Sequence, residues 1–589
     1  MDSVESFVKK HLAKYGMYEI EALIENLSRE EHGNSKEKLK NLYMDLENIF
    51  RNERFMKEYE EILIDMLKGE VNRVEKGKER IENIKLEPRD IKVEYLPPKK
   101  IDWDKLAENG LESESEIVKV IEKVKRGEIE KNVLIPDLSN EVTNGRNVCF
   151  VTELESIPKS IENYIYKHGI KKLREGKVGI IIMSGGDGSR LGYNGPKGMY
   201  PIGKISKDSF FKIFCQKIQS LTRLVFSSDC NTEKIKYLGE LKEIPLYVMT
   251  SDNNDHLTKN YFKENNNFGL ENVIFFKQDS VPSINIKNNC SFFLSEDLKI
   301  LKSPNGNGGI FDCMKNQGII NDMYNKGIEY VFIHCIDNPL CKICDPFFIG
   351  YSDLLNLQIS TKTINKKDVN ENIGSVAQKV SVDINVTNIL PCIIEYTELN
   401  KLGNKKDDFS FGSIGIHLFH LDFIKEISSK ILEFPYHIAY KKIPYLKYLN
   451  DNKTPNLKPY IDQPSEVNGI KLETFIFDSF AFTNTPVHCI NVSRDEFSPV
   501  KSASGQNSPD SCQISISNLN KKLLNRALNI SDNFSKDFLF PPSKYLEISP
   551  LVSYDGENLD KFSQLITTNN HNFIYINDSS QIVFLDDLQ

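Results

Sequence analysis

An apolar run that ends in a glycine-rich, positively charged loop constrains this chain more than any other segment. Residues 178–203 read VGIIIMSGGDGSRLGYNGPKGMYPIG. The run Val178–Met183 predicts a buried strand. It is followed by three glycines, Gly185, Gly186 and Gly188. Glycines let backbone N–H groups approach a polyanion with no Cβ in the way. Arg190 and Lys197 add positive charge suited to phosphate oxygens, so the segment predicts a nucleoside triphosphate site.

The loop matches neither of the two commonest nucleotide-binding motifs. A Walker loop needs Ser or Thr after its lysine, but Lys197 is followed by Gly198. A G-x-G-x-x-G pattern that starts at Gly186 would need glycine at position 191, which is Leu191. The kinase and dinucleotide-binding interpretations are therefore excluded. The bland alternative is a tight strand-to-helix turn whose arginine and lysine are simply solvated.

The same residues resemble a known family. GGDGSRLGYNGPKGMYPIG is similar to the G-G-x-G-T-R-L-G…P-K-G-M signature of sugar nucleotidyltransferases, and above all of the eukaryotic UDP-N-acetylglucosamine pyrophosphorylases. The resemblance covers roughly residues 105 to 589. Further segments match in the family's order, among them FGLENVIFFKQ (268–278), PNGNGGI (304–310), CIDNPLCKICDPFFIG (335–350), NGIKLETFIFDSF (468–480), RDEFSPVKSA (494–503) and ISPLVSYDGE (548–557).

Composition limits the partners that the chain can have. Its 589 residues, 40% of them hydrophobic, suffice for one large core with one or two smaller domains. The net charge of −8 indicates no nucleic-acid partner. No apolar run approaches the roughly 20 residues of a membrane span, and the N-terminus lacks the apolar core of a signal peptide. The odd number of cysteines, 11, indicates reduced thiols in the cytosol. We therefore expect a cytoplasmic protein without a membrane partner, as a monomer or weak homodimer.

Three cysteines and a histidine cluster at residues 334–344. Cys341 and Cys344 form a C-x-x-C beside His334 and Cys335, the commonest half of a zinc site. A second C-x-x-C or a distant histidine pair is missing, and cysteine is among the most buried residue types. The cluster therefore predicts core packing, with a metal or redox site as the weaker alternative.

The order of elements predicts an α/β fold. Residues 1 to about 100 show helical periodicity, as in Leu42, Leu46, Ile49 and Phe50, and we assign residues 1–144 to a helical N-terminal region. From about residue 145 strands and helices alternate, which indicates a mostly parallel sheet with helices on both sides. The predicted strands are Val178–Met183, Pro245–Thr250, Val273–Phe276 and Tyr330–Ile336; the predicted helices are Ser209–Leu221, Asp255–Glu264 and Met314–Lys326. With the resemblance, this predicts a Rossmann-like nucleotidyltransferase core at 145–510 whose sheet is mixed but mostly parallel.

The remaining segments are predicted to lie around this core. Two polar stretches, Ser360–Asn372 and Ser502–Asn518, hold few apolar residues and predict loops or insertions. Residues 511–589 predict a small α+β C-terminal domain. In it, Leu519–Leu528 is helix-like, and Phe573–Ile576 and Ile582–Leu585 are strand-like.

The resemblance implies a reaction and a set of charged residues. UTP and N-acetylglucosamine 1-phosphate would give UDP-N-acetylglucosamine and pyrophosphate. The sugar phosphate is already ionised, so catalysis needs positioning and charge rather than a general base. We assign Arg190 to the leaving phosphates and Lys197 to the α-phosphate, and Lys501 would clamp the sugar phosphate. Asp337 follows a strand and, as in the family, would hold Mg²⁺. Its alternative role is a turn or cap residue, and that of Lys501 is a surface lysine.

The resemblance also assigns the base and sugar contacts. The nucleotide would meet Ser184, Gly185, Gly186, Gln278 and Gly306. The sugar would meet Asn307, Gly374, Glu395, Gly412, Ser413, Phe475 and Phe477. Phe475 and Phe477 alternate with Ile476 and would face one way on a strand, lining an acetamido pocket or simply packing in the core. PNGNGGI by itself would be an ordinary glycine turn.

The chain departs from the family pattern at several positions. The family's F-N-A-G-N reads here as Phe409–Ser413, so Ser413 replaces an asparagine that would contact the sugar. Ser189 replaces a threonine, Asp187 a residue that is usually uncharged, and the prolines expected before Gly374 are missing. These changes leave two alternatives open. One is a UDP-sugar pyrophosphorylase for another hexose 1-phosphate, such as glucose or N-acetylgalactosamine, and the other is a non-catalytic UDP-sugar-binding relative.

Overall fold

The structure is a computed structural model of the chain. It describes residues 2–15, 17–29, 33–63, 92–107, 113–126, 148–227, 243–287, 291–383, 386–399, 402, 406–449, 458–530, 544–566 and 571–585. These residues form two compact units. The smaller unit comprises the described residues within Met1–Ile91, Gln278–Ile310 and Ser429–Asp478. The larger unit comprises those within Lys92–Lys277, Phe311–Ser428 and Ser479–Gln589.

A 12-stranded sheet forms the centre of the larger unit. Its strands are β1 (Lys92–Leu96), β2 (Lys99–Lys100), β3 (Cys149–Glu153), β4 (Val178–Met183), β5 (Leu246–Thr250), β6 (Val273–Lys277), β10 (Tyr330–Cys335), β11 (Ile359–Asn365), β12 (Ser375–Asp383), β13 (Val386–Ile394), β14 (Phe411–His420) and β19 (Val487–Asn491). The main path runs β2-β3-β19-β11-β14-β10-β4-β5-β6, with β14 antiparallel to both of its neighbours. The mixed, mostly parallel sheet confirms the predicted fold class.

Helices cover this sheet and supply its packing. In the larger unit they are Trp103–Leu106, Glu114–Lys125, Lys159–Arg174, Phe210–Ser227, Asp255–Glu264, Ile319–Asn325, Pro346–Leu354, Tyr396–Leu399, Leu421–Ile427 and Pro509–Ala527. Strand β4 is buried along its whole length, since helices cover both faces of a sheet of this kind. Phe210, Phe211, Phe214 and Ile218 pack into the same core as β4 and β10.

The C-terminal residues add a second sheet to the larger unit. Strands β20 (Tyr545–Ile548), β21 (Phe573–Ile576) and β22 (Ile582–Leu585) pair in that order. The last two match the predicted strands residue for residue. They pack with Leu524 of helix Pro509–Ala527 in a separate small core.

The smaller unit combines N-terminal helices with short strands. The helices are Asp2–Tyr15, Tyr18–Arg29, Gly33–Phe50 and residues 53–63; the strands are β7 (Ser280–Pro282), β8 (Ile284–Asn285), β9 (Lys302–Pro304), β15 (His437–Lys441), β16 (Tyr445–Leu449), β17 (Lys458–Asp462) and β18 (Gly469–Glu473). The predicted helix face Leu42, Leu46, Ile49 and Phe50 is buried, together with Ile284 and Ile470. This unit therefore joins segments that are far apart in sequence.

Three local predictions were wrong. Residues 360–365 of the predicted polar loop Ser360–Asn372 instead belong to strand β11, which is buried up to Ile364 and lies between β19 and β14. The single helix predicted over Met314–Lys326 is two helices, Ile310–Asn316 and Ile319–Asn325, because Gly318 between them has a left-handed φ of 74°. The helix predicted at Leu519–Leu528 begins at Pro509, where the Ser508 side chain caps it. The predicted loop Ser502–Asn518 is therefore half helix.

The predicted boundaries at residues 144 and 510 stay a prediction. The grouping observed here differs from them, because residues 278–310 and 429–478 lie in the unit that holds the N-terminal helices. Each helix that the structure describes is too short or too polar to span a bilayer.

Candidate active site

The glycine loop leaves β4 at a point held by the neighbouring strand. Ser184 donates from its backbone N–H and its hydroxyl to the Met249 carbonyl, at 2.9 and 2.8 Å. The Asn254 amide donates to the carbonyls of Ser184 and Gly186, at 3.0 and 3.4 Å. The Ser184 hydroxyl thus anchors the backbone. Sequence reasoning missed Asn254, whose position just before helix Asp255–Glu264 was the only signal.

The loop then folds back on itself. Gly188 N–H donates to the Gly195 carbonyl at 2.8 Å, and Lys197 N–H donates to the Gly186 carbonyl at 3.2 Å. Gly186 is exposed, and a Cβ placed on it would meet nothing within 4 Å. A Cβ on Gly198 would lie 2.2 Å from the Phe211 ring, so glycine is needed beside Lys197. The backbone is fixed while its outer face stays accessible to an anion.

Lys197 and Asp337 meet at the carboxyl edge of two adjacent parallel strands. β4 and β10 pair from Tyr330 opposite Val178 to Cys335 opposite Met183. Asp337 follows β10, and its Oδ2 lies 3.9 Å from Lys197 Nζ, with side-chain exposures of 20% and 15%. Ligands of open α/β sheets bind at such carboxyl edges. The tertiary fold therefore brings together two of the predicted site residues.

Two further cations act on Lys197. Burial lowers the pKa of Lys197; nearby Asp337 raises it, and the positive charges of Lys501 and Arg190 lower it again. Arg190 and Lys501 are exposed. Lys197 and Asp337 thus lie in the field of two further positive charges, an arrangement in which an anion would be stabilised by an excess of positive charge.

The segment that carries Lys501 is bonded to the segment that carries Asp337. Val500 N–H donates to the Asp337 carbonyl at 2.9 Å. The Asn338 side chain donates to the Glu496 carbonyl at 2.8 Å and accepts from Ser498 N–H at 3.0 Å. Sequence reasoning missed Asn338, although its place next to Asp337 was visible.

Four predicted sugar contacts lie together on the larger unit. Gly412 pairs with Ser375 and with Ile364, and Ser413 pairs with Thr363. Ser413 N–H donates to the Gly374 carbonyl at 2.8 Å. A Cβ on Gly374 would lie 3.6 Å from Glu395 Oε1. The Gly374, Glu395, Gly412 and Ser413 set is therefore one cluster, made where β12 meets β14.

The remaining predicted contacts belong to the smaller unit. Gln278 is the first residue after β6, and its side chain is buried. Gly306 has φ +75°, and a Cβ on it would lie 2.2 Å from the Thr474 carbonyl oxygen. Asn307 Oδ1 accepts from Ile476 N–H at 3.0 Å, which fixes the PNGNGGI turn against the segment that follows β18.

Phe475 and Phe477 do not lie on a strand. β18 ends at Glu473 and a 3₁₀ helix, Ile476–Phe482, follows. The two rings nevertheless stack with centroids 4.9 Å apart. Contacts that the sequence did not predict hold Phe475 in this position. Asp478 accepts from Phe475 N–H at 2.9 Å and contacts His437 Nε2 at 3.0 Å, and the His437 ring lies 4.5 Å from that of Phe475. The two rings therefore lie side by side as predicted, but the backbone that carries them is a turn and a 3₁₀ helix and not the predicted strand.

The cysteine cluster packs in the core. Cys341 and Cys344 are fully buried among apolar side chains of the larger unit. Burial raises the pKa of Cys335 to about 12 and lowers that of His334 to about 3, so both are neutral near pH 7. Packing, as predicted, is the role that these contacts support.

The mixed, mostly parallel sheet and the glycine loop that follows β4 are the framework in which the family comparison is made. Residues 140–580 match the family model described as UTP--glucose-1-phosphate uridylyltransferase. The chain belongs to this family of uridylyltransferases and is an enzyme of that class.

Individual relatives agree with this assignment. UDP-N-acetylglucosamine pyrophosphorylase of Saccharomyces cerevisiae is 35% identical over 68% of this chain and 79% of its own. UDP-N-acetylhexosamine pyrophosphorylase-like protein 1 of Xenopus tropicalis is 30% identical over 67% of this chain and 76% of its own. The inhibitor-bound crystal structure of uridine diphosphate N-acetylglucosamine pyrophosphorylase from Trypanosoma brucei shares the fold, with a TM-score of 0.65, 23% identity and 99% coverage of both chains.

Proposed function

We propose that the chain transfers the uridylyl group of UTP to N-acetylglucosamine 1-phosphate and releases pyrophosphate. The observation that carries the proposal is the charge cluster at the carboxyl edge of β4 and β10, with Lys197 and Asp337 3.9 Å apart and Arg190 and Lys501 acting on Lys197. The names of the relatives from Saccharomyces and Xenopus support an N-acetylhexosamine as the sugar.

The reaction joins two anions. An oxygen of the sugar 1-phosphate attacks the α-phosphorus of UTP, and the bond from that phosphorus to the oxygen bridging to the β-phosphorus breaks, so pyrophosphate leaves in line. The attacking oxygen is already ionised and needs no base. Lys197 would lie on the α-phosphate, Arg190 on the leaving phosphates and Lys501 on the sugar phosphate. Their charge favours the transition state because negative charge builds up on the leaving group.

Asp337 fits a magnesium ligand. Mg²⁺ is commonly held by one or two carboxylates, with waters and substrate phosphates completing its shell. The Asp337 side chain is partly exposed, at 20%, and lies beside the predicted phosphate loop. Among the described residues, no group of three or more His, Cys, Asp and Glu could hold a metal ion, so phosphate oxygens would have to supply ligands. A Mg²⁺ ion on Asp337, when bound, would neutralise phosphate charge.

The cluster of Gly374, Glu395, Gly412 and Ser413 would bind the sugar, and the stacked Phe475 and Phe477 would line the acetamido group. Gly185, Gly186, Gln278 and Gly306 would receive the uracil base, and Asn307 the sugar. The shorter Ser413 favours one alternative, broader acceptance of N-acetylgalactosamine 1-phosphate. A non-catalytic UDP-sugar-binding role is less well supported, because Arg190, Lys197 and Asp337 are all present. A cytoplasmic location and a monomeric or weakly dimeric state complete the proposal.

A pyrophosphate-release assay with UTP and Mg²⁺ tests the proposal. The acceptors are the 1-phosphates of N-acetylglucosamine, N-acetylgalactosamine and glucose, and a Lys197→Ala protein prepared in parallel is the control. We expect the highest kcat/KM with N-acetylglucosamine 1-phosphate. A preference for glucose 1-phosphate would overturn the substrate assignment, and no turnover with any acceptor would favour the non-catalytic alternative.

A further inference from the structure

Lys362 is a fully buried lysine that no predicted role uses. It lies on the central strand β11, and its side chain is 0% exposed. Its Nζ lies 2.8 Å from Asp345 Oδ2 and 2.6 Å from Glu496 Oε2. Burying an ammonium group away from water is costly unless it is paired and hydrogen-bonded. Lys362 therefore depends on its two carboxylates, and each of them depends on Lys362.

Asp345 pairs with a second lysine, Lys342, whereas Glu496 pairs with Lys362. Lys342 Nζ lies 3.6 Å from Asp345 Oδ1 and 2.8 Å from Asp555 Oδ2. Burial raises the pKa of Asp345, but Lys342 and Lys362 together outweigh it and lower that pKa to about 2. Burial raises the pKa of Glu496, and Lys362 is the largest influence that opposes this rise. Glu496 is thus held mainly by Lys362.

Glu496 also begins the segment 496–500, which is hydrogen-bonded to Asp337 and Asn338 and precedes Lys501. Its backbone carbonyl accepts from the Asn338 side chain at 2.8 Å, and Asn338 accepts from Ser498 N–H at 3.0 Å. Val500 N–H then donates to the carbonyl of Asp337 at 2.9 Å. These hydrogen bonds bind the segment before Lys501 to the residues after β10. An ammonium group in the core is thereby linked, through Glu496 and Asn338, to both Asp337 and Lys501.

We propose that Lys362 is a positioning residue: by fixing Glu496 it holds residues 496–500 on Asp337 and Asn338 and so places Lys501 to receive the phosphate of the sugar substrate. This inference rests on the proposed function. It predicts a selective defect, since the glycine loop is anchored separately, by Met249 and Asn254. Loss of Lys362 should impair use of the sugar phosphate and leave UTP binding intact.

The test compares Lys362→Met with Lys342→Met. Both changes remove an ammonium group that pairs with Asp345. Among the described residues, the other carboxylate partner of Lys342 is Asp555, whereas that of Lys362 is Glu496, so Lys342→Met is the matched control. We expect Lys362→Met to lower kcat/KM for the sugar 1-phosphate by about 10²-fold, as a misplaced binding group does. The Kd for UTP, measured by calorimetry, should change by less than about threefold, because the glycine loop is untouched. Lys342→Met should keep kcat/KM near that of the unaltered enzyme.

A double variant separates positioning from stability. In Lys362→Met/Glu496→Gln the unpaired carboxylate at 496 is gone, so the thermal midpoint should recover relative to Lys362→Met. Under the proposal kcat/KM stays low, because nothing holds residue 496. Recovery of kcat/KM together with stability would overturn the proposal, as would an equal loss in Lys342→Met.

A third variant covers failure of Lys362→Met to fold. Asn338→Ala removes the connection without leaving a buried charge, and we expect it to lower kcat/KM for the sugar phosphate about tenfold with UTP binding unchanged. Unaltered kcat/KM in folded Asn338→Ala would overturn the proposal. The proposed function fails separately, if the unaltered enzyme itself makes no UDP-sugar.

Discussion

Gly306 occupies a backbone conformation that only glycine tolerates, and Gly306→Ala should disrupt the turn at which we expect the uracil base to bind. Its φ is 75° and its ψ is 177°. The new Cβ would lie 2.2 Å from the carbonyl oxygen of Thr474 and 2.7 Å from its nitrogen. Neither atom can move freely, because Gly308 N–H donates to that oxygen and Thr474 N–H donates to the Asn305 carbonyl, both at 2.9 Å.

The cost follows from these contacts. The glycine-only backbone region costs about 1–3 kcal/mol for other residues. Moving the two segments apart breaks the Gly308–Thr474 hydrogen bond, worth about 1 kcal/mol. The local penalty is therefore about 2–4 kcal/mol. Gly318→Ala is the control, since Gly318 has φ 74° and ψ 10° and a Cβ there would meet nothing within 4 Å. Its cost should be about 1–2 kcal/mol, that of the left-handed region alone.

Two measurements check this prediction. Hydrogen exchange should show faster exchange at Gly308 and Thr474 in Gly306→Ala and native protection there in Gly318→Ala. The Kd for UTP should rise at least about tenfold in Gly306→Ala, the equivalent of about 1.4 kcal/mol, and less than about threefold in the control. Equal effects of the two substitutions on UTP binding would refute the reasoning, because they would mean that the close approach to Thr474 is irrelevant.

The other predictions concern the charge cluster and the sugar. Lys197→Ala should lower kcat by about 10²–10³, the usual loss for one transition-state charge donor, and near-normal turnover in a folded variant would disprove the phosphate-loop assignment. Because burial, Lys501 and Arg190 keep the pKa of Lys197 below that of an ordinary lysine, its charge is lost at a lower pH; kcat/KM should therefore decline on the alkaline side, and Lys197→Arg should move that decline to higher pH. Asp337→Asn should abolish most activity and excess Mg²⁺ should restore only part of it, whereas full activity of the EDTA-treated enzyme would contradict the metal assignment. Ser413→Asn should raise the preference for N-acetylglucosamine over N-acetylgalactosamine 1-phosphate by about fivefold, the value of one hydrogen bond, and an unchanged ratio of kcat/KM would mean that Ser413 does not face the sugar.

Continuous local patterns allowed much of the fold to be predicted. Val178–Met183 and Asp255–Glu264 have the predicted bounds, because an unbroken apolar run and an amphipathic repeat each specify their element without distant partners. The single helix predicted over Met314–Lys326 was wrong, because the apolar periodicity continues across Gly318 while the left-handed backbone of Gly318 divides the segment into two helices.

The predictions were wrong where a polar residue is buried and partners from distant parts of the chain compensate for its lost hydration. Lys362 lies in a stretch rich in lysine and asparagine, a pattern typical of a loop. It is buried on β11 because Asp345 and Glu496 come to it from other parts of the chain. Similarly, Phe475 and Phe477 alternate as on a strand, but the contacts of Asp478 with Phe475 N–H and His437 favour a 3₁₀ turn.

The amino-acid sequence alone was enough to predict the α/β class, a phosphate-binding loop with Arg190 and Lys197, and the family resemblance, because each prediction depends on short runs of residues or on their order. Contacts between distant residues became visible in the folded chain: Lys197 lies 3.9 Å from Asp337, Gly374 bonds to Ser413, and Asn338 and the buried Lys362 contact the segment before Lys501. The physical reason is that a buried charge or amide is stabilised by an ion pair or hydrogen bond with a residue that is distant in sequence. Strand order and register, set by the packing of the whole core, choose that partner.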